Sequence, residues 1–155
     1  MSTRRLIEGA TIAAIYAVLT VAVAPFSYGI MQFRMSEALT ILPMFTPAAI
    51  PGLFVGCIVS NVISPYGIVD MVFGSLATLI AAYCSYKLRK KRWLVPLPPV
   101  IANGLIIGGM LYFVYGLRAS LIACIAWVAL GEAVVCYGVG YPLSRILSKY
   151  KGIFE

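Results

Sequence analysis

Residues 38–69, ALTILPMFTPAAIPGLFVGCIVSNVISPYGIV, run for 32 positions without a charge. Length alone would allow one long membrane helix, since ~20 apolar residues cross a ~30 Å hydrocarbon core. Pro43, Pro47 and Pro51 argue against a single helix, because an internal proline removes a backbone hydrogen bond and crowds the preceding turn. The stretch therefore reads as two shorter helices, 36–47 and 50–64. Two more charge-free stretches, 9–33 and 93–117, are 25 residues each. They place helices at 7–24 and 95–115, and the remaining apolar runs place helices at 69–87 and 118–146. Six spans of ~20 residues use about 120 positions of the 155 in the chain. The expectation is an all-α integral membrane protein, a six-transmembrane-helix bundle forming one domain over 1–155.

Composition excludes the alternatives. The chain is 62% hydrophobic and 11% charged, whereas soluble domains hold roughly 45–50% apolar and 25% charged residues. Nothing is left over for a soluble catalytic domain. Arg4 and Arg5 ahead of an apolar run that ends Ala22-Val23-Ala24 resemble a signal peptide. Pro25 directly after that site and the further spans beyond it favour a retained first helix.

The net charge of +7 reads as topology rather than nucleic-acid binding. With both termini cytoplasmic, Arg4, Arg5, Lys87, Arg89, Lys90, Lys91, Arg92, Arg145, Lys149 and Lys151 lie inside, and only Arg34 and Arg118 lie outside. That asymmetry is what the positive-inside rule requires, and it fixes an even number of spans before the 87–92 cluster. Cys57, Cys84, Cys124 and Cys136 stand singly in apolar stretches, as buried free thiols do, without metal-ligand or disulfide spacing. Histidine is absent, which removes the usual proton shuttle and commonest metal ligand. No nucleotide-binding loop and no nucleophile with its base is present, so neither an enzyme nor a cofactor site is expected.

Small residues form stripes. Gly9, Ala10, Ala13, Ala14, Ala17, Thr20 and Ala24 fall within about 140° of the first helix at ~100° per residue, a smooth face suited to a partner subunit or to internal packing. Gly52, Gly56, Ser60 and Ser64 in the third helix, and Gly104 and Gly108 in the fifth, read as internal packing.

Polar groups at membrane depth are costly and by default face a cavity or a partner. Glu132 lies about 20 Å and Asn103 about 18 Å from the outer ends of their helices, at one level. A ligand contact and a structural hydrogen bond are both open to them. A second polar group gathers at the outer face: Gln32, Arg34, Glu37, Asn61 and Asp70. For Asp70 the dipole of a helix N-terminus suffices, whereas Arg34 breaks the charge pattern. Phe26, Tyr28, Phe33, Tyr66, Tyr112 and Tyr115 cluster there too, as an interfacial belt or as walls for a planar heterocycle.

Four motifs carry a family resemblance: Ala13-Ala14-Ile15-Tyr16-Ala17-Val18-Leu19-Thr20, Gln32-Phe33-Arg34-Met35-Ser36-Glu37-Ala38-Leu39-Thr40, Pro43-Met44-Phe45-Thr46-Pro47-Ala48-Ala49-Ile50-Pro51-Gly52-Leu53, and Gly131-Glu132-Ala133-Val134-Val135. They resemble the queuosine-precursor transporter (QueT) family, substrate-binding S-components of energy-coupling-factor (ECF) transporters. The resemblance implies a multi-pass protein of the prokaryotic plasma membrane. It would bind a 7-deazaguanine such as preQ0 or preQ1 and dock to a coupling subunit driven by two cytoplasmic ATPase subunits. The family's helix-one motif matches Ala10-x-x-x-Ala14 and Ala13-x-x-x-Ala17. A guanine-like edge offers a ring N–H and an amine that Glu132 or Glu37 could accept, while Asn103, Asn61, Gln32 or Arg34 could donate to its carbonyl. An S-component for another vitamin, and a stand-alone ion-coupled carrier or channel, are the alternatives.

Overall fold

The structure is a computed structural model and describes residues 3–28 and 33–153. Among these residues it is all helical. Helix α1 spans Thr3–Ala22, followed by the single turn α2, Ala24–Ser27. A 3₁₀ helix, Met35–Met44, leads to α3 at Ala49–Asn61, α4 at Gly67–Lys87, α5 at Leu97–Phe113 and α6 at Leu121–Val135. A π turn, Cys136–Gly140, joins α6 to α7 at Tyr141–Leu147.

Helical segments lie at the expected positions, with one correction of kind and two of detail. The segment expected as the second α-helix is a 3₁₀ helix of 10 residues. Every residue over 36–43 is buried, so this rod is the centre of the bundle. At ~2.0 Å per residue it reaches about 20 Å, where an α-helix of that length would reach about 15 Å, and its thinner backbone suits a crowded axis. The break at Pro47 stands, and α3 has 13 residues, about 20 Å at ~1.5 Å per residue and short of the ~30 Å core. Finally, the 118–146 helix runs as one helical stretch that widens into the π turn at Cys136–Gly140. Four helical stretches, Thr3–Ala22, Gly67–Lys87, Arg92–Phe113 and Leu121–Tyr150, are long and apolar enough to cross a membrane.

Glycine governs how the helices meet. A Cβ at Gly52 would lie 2.6 Å from the Gly9 carbonyl oxygen, and one at Gly56 2.8 Å from that of Ala13. The α1–α3 pair therefore packs backbone to backbone. On the other side, a Cβ at Gly108 would meet Ile125 Cα at 2.6 Å, and one at Gly104 would meet Ala129 Cβ at 3.1 Å. Internal packing is thus the role of both glycine stripes. Helix α4 lies between the two pairs.

Two apolar clusters result. One gathers Ile12, Tyr16, Leu39, Leu53, Ala82 and Val95, and the other Ile107, Met110, Leu111, Cys124 and Val128. Val95 just before α5, then Asn103 and Ile107 on it, place the polar residue between the two clusters. The outward surface is apolar as well, with Ile68, Phe113 and Ile122 more than two-thirds exposed, as lipid-facing side chains are.

The basic residues collect at one end. Glu8, paired with Arg4 at 3.4 Å, accepts from Thr46 at 2.9 Å, and Phe45 lies beside Arg89, Lys90 and Arg92. At the opposite end Gly67 adopts φ +62° in the turn that opens α4, a conformation that glycine reaches without strain.

Gly108→Ala should destabilise the chain by about 1–3 kcal/mol, the usual cost of overpacking a closed contact. Gly109→Ala, one residue on and with nothing within 4 Å of its Cβ position, should be neutral or slightly stabilising. Thermal unfolding of the two detergent-solubilised variants checks the pair; equal loss in both would place the effect in helix propensity rather than packing.

Candidate functional site

Glu37 is the anchor of the site. It sits in the first turn of the 3₁₀ helix and is fully buried. Tyr16 of α1 donates its phenol to Glu37 Oε1, and Thr78 of α4 donates to the same oxygen at 3.1 Å. Three elements thus converge on one carboxyl oxygen. The other oxygen, Oε2, is buried and has no hydrogen-bond partner among the described residues.

Asn103 of α5 and Glu132 of α6 complete this group. Both are buried. Asn103 faces both carboxyls, yet its amide nitrogen lacks a hydrogen bond of good geometry. Glu132 Oε2 accepts from the thiol of Cys136 at 3.7 Å, and the same thiol lies 3.6 Å from the Glu37 carbonyl oxygen. Thr40 donates to that carbonyl at 2.6 Å. The π turn makes this meeting possible. A Cβ at Gly140 would stand 3.1 Å from the Ala38 carbonyl oxygen, so the turn presses α6 onto the 3₁₀ rod; π turns commonly sit at functional positions.

A second cluster adjoins the first. Arg34 is buried and pairs with Asp70 Oδ2 at 3.5 Å, while its other terminal nitrogen lies 3.6 Å from Cys57 Sγ. Ser64 donates to the same Asp70 oxygen at 2.6 Å. Asn61 donates to the Asp70 carbonyl at 3.1 Å and lies 3.4 Å from Cys57 Sγ, so it ties α3 to α4. Gly74 leaves room for this: a Cβ there would be 2.8 Å from Asn61 Nδ2. Tyr28 lies under Arg34 at 5.7 Å and donates to the Ser60 carbonyl at 2.5 Å. Burial raises the Tyr28 phenol above its ordinary pKa, with Arg34 pulling the other way, so the proton it donates stays in place.

The structure therefore brings Glu37, Asn103, Glu132, Arg34 and Asn61 into one buried polar core. Gln32 lies outside the described residues. Both carboxyls that the sequence left unranked face the same amide. Asp70 lies in the first turn of α4, where the helix dipole favours it as the sequence suggests, and it is also the counter-ion of Arg34. Tyr16, Thr78 and Gly74 went unnoticed as members of the site. The available signals were Tyr16 between Ile12 and Thr20 at helical spacing, the hydroxyls of Ser75 and Thr78 in mid-span, and Gly74 four residues after Asp70. Chemically the core holds one cation against three carboxyl groups, and the Asn103 amide faces two of them without a hydrogen bond of good geometry. Such a site takes a ligand rich in N–H donors that also carries an acceptor.

The small-residue stripe of α1 divides. Ala10 and Ala14 are exposed, whereas Ala13 and Ala17 are half-buried. Ala13 supports Gly56 with its backbone and also lines a shallow groove of about 210 Å³ with Leu6, Gly9, Ala10, Gly52 and Val55. The Tyr66 and Tyr115 rings lie 4.7 Å apart and Tyr115 donates to the Tyr66 carbonyl at 2.7 Å, while Phe26 is exposed. The four cysteines are free, three of them buried and Cys84 partly so.

Comparison with known proteins gives a family. A family model described as QueT transporter matches residues 6–149. The "Queuosine precursor transporter QueT" of Lactococcus lactis subsp. cremoris (strain MG1363) is 38% identical over 73 residues, which is 46% of this chain and 43% of that relative. The matched segment thus spans less than half of the relative's length. No solved structure matches the chain.

Arg34→Met and Asp70→Asn should each lower stability by about 3–5 kcal/mol, because each leaves one buried charge or polar group without its partner. The double variant should lose less than the sum of the two. Chemical unfolding of the three variants measures the coupling, and strict additivity would show that the pair does not act as a unit.

Proposed function

The chain belongs to the QueT transporter family, and on that premise we propose that it is the substrate-binding S-component of an energy-coupling-factor transporter. In this reading residues 1–155 form one six-span domain of a prokaryotic plasma membrane, with both termini in the cytoplasm. The gathering of Arg4 and the 87–92 cluster at one end of the bundle supports that orientation. The ligand is a queuosine precursor, a 7-deazaguanine such as preQ0 or preQ1. Uptake is driven by ATP hydrolysis in two cytoplasmic ATPase subunits, transmitted through a membrane coupling subunit.

The observation that carries the ligand reading is the convergence of Glu37, Asn103 and Glu132 in the buried core: Asn103 faces both carboxyls, and neither its Nδ2 nor Glu37 Oε2 has a hydrogen bond of good geometry. A buried polar atom left unpaired costs about 1–3 kcal/mol, so the site is stabilised by whatever satisfies both. A 7-deazaguanine does so: its ring N–H and exocyclic amine donate to the carboxyls, and its carbonyl accepts from the Asn103 amide. Tyr16 and Thr78 hold Glu37 in place while this happens.

For the coupling subunit, the exposed Ala10 and Ala14 and the groove beside them supply the smooth surface that helix docking in lipid needs. Ala13 and Ala17 contribute from its edge.

Glu37→Gln, Glu132→Gln and Asn103→Ala should each weaken binding of a 7-deazaguanine by at least about tenfold, since ~1.4 kcal/mol corresponds to one decade. Calorimetric titration of the purified chain checks this; unchanged affinity in all three would remove the ligand from this core.

Ala10→Trp and Ala14→Trp should leave that titration unchanged while abolishing co-purification with the coupling subunit and ATPases. Transport by the chain alone, without those subunits, would favour an ion-coupled carrier instead.

A further inference from the structure

We propose that the basic end of the bundle holds a seat for the phosphate of an anionic phospholipid, formed by Arg89, Lys90 and Arg92 above Met44 and Phe45. The five residues line a cavity of about 280 Å³. It forms where the last turn of α4 and the following loop fold over the end of the 3₁₀ rod, so residues far apart in sequence share it. The positive-inside rule accounts for the number of cations in this loop. It does not account for their concave grouping around an apolar floor.

Among the described residues nothing compensates the charge in the seat. The ion pairs found there join Arg4 to Glu8 and Arg34 to Asp70, and neither involves the cavity. Among the described residues no carboxyl group lines it. Arg89 is held by its stacking over Tyr86 at 4.1 Å, and the neighbouring Lys87 by Tyr83 at 5.3 Å, so two of the nearby cations are oriented before any anion arrives.

Two observations favour a lipid over a free phosphate as the source of the anion. Trp93, 62% exposed, and Tyr83, 52% exposed, flank the seat, and exposed Trp and Tyr at the end of a span mark headgroup depth. Met44 and Phe45 give the cavity an apolar wall that matches the glycerol carbons and upper acyl chain of a phospholipid and offers an inorganic anion nothing. A basic segment next to a span is also where anionic lipids accumulate.

The test uses the full chain in nanodiscs of phosphatidylcholine and phosphatidylglycerol in equal parts, with retained lipid read by native mass spectrometry. The wild-type chain should retain one phosphatidylglycerol with about a tenfold preference over phosphatidylcholine. R89Q/R92Q should fall to near parity, whereas R89K/R92K, which keeps the charge, should retain most of the preference. R5Q/K149Q removes the same charge from the same end of the bundle and should behave as wild type. Equal loss in R5Q/K149Q would reduce the effect to diffuse charge and overturn the seat, as would a preference that survives in R89Q/R92Q. Inorganic phosphate that displaces phosphatidylglycerol, or that raises the unfolding temperature in phosphatidylcholine-only nanodiscs as much as phosphatidylglycerol does, would overturn the assignment to a lipid.

Discussion

A carboxyl group at membrane depth must be met by donors, and Glu37 imposes that requirement on the rest of the bundle. Insertion of an acidic side chain at a helix centre costs about 2.5–3.5 kcal/mol. Here Tyr16 from α1 and Thr78 from α4 each direct a hydroxyl at one oxygen of Glu37. Those two bonds fix the rotation of both helices about their axes. They also place the 3₁₀ rod between the helices, since the carboxyl can reach both only from the centre.

The glycines follow from that arrangement. A central rod consumes space, so the surrounding helices must approach one another through backbone rather than side chains. Gly52 and Gly56 allow this for α1 and α3, Gly104 and Gly108 for α5 and α6, and Gly140 allows it for the π turn against the rod itself. In lipid, where apolar surface gains little by leaving its surroundings, such close contact supplies much of the attraction between helices. Packing and site are therefore one design: the contacts that bring α6 inward are the same contacts that bring Glu132 to Asn103.

The two ends of the molecule have opposite characters. One end carries cations on exposed loops beside Trp93, where solvent and headgroups meet them. The other end leaves Arg118 exposed but buries Arg34 against Asp70, Cys57 and the Tyr28 ring. The first is a surface that addresses the membrane. The second belongs to an interior in which each buried charge has a specific neighbour, and the proposed ligand recognition would depend on that specificity.

Much of this was legible in the chain. Charge-free runs give the membrane helices, because the hydrocarbon core admits little else. The prolines over 43–51 give the break between the second and third segments, and the uneven charge gives the two ends. Glycine spacing gives the packing faces, and the depths of Asn103 and Glu132 along their helices give their shared level. These features are local or additive, so they can be read one residue or one segment at a time. Only the tertiary structure decided that 35–44 is a 3₁₀ rod at the centre, that a π turn sits within the last long helix, that Asp70 also pairs with Arg34, and that Tyr16 and Thr78 reach Glu37. Each of those depends on which side chains, tens of residues apart, meet in the buried core, where an unmet polar group is costly.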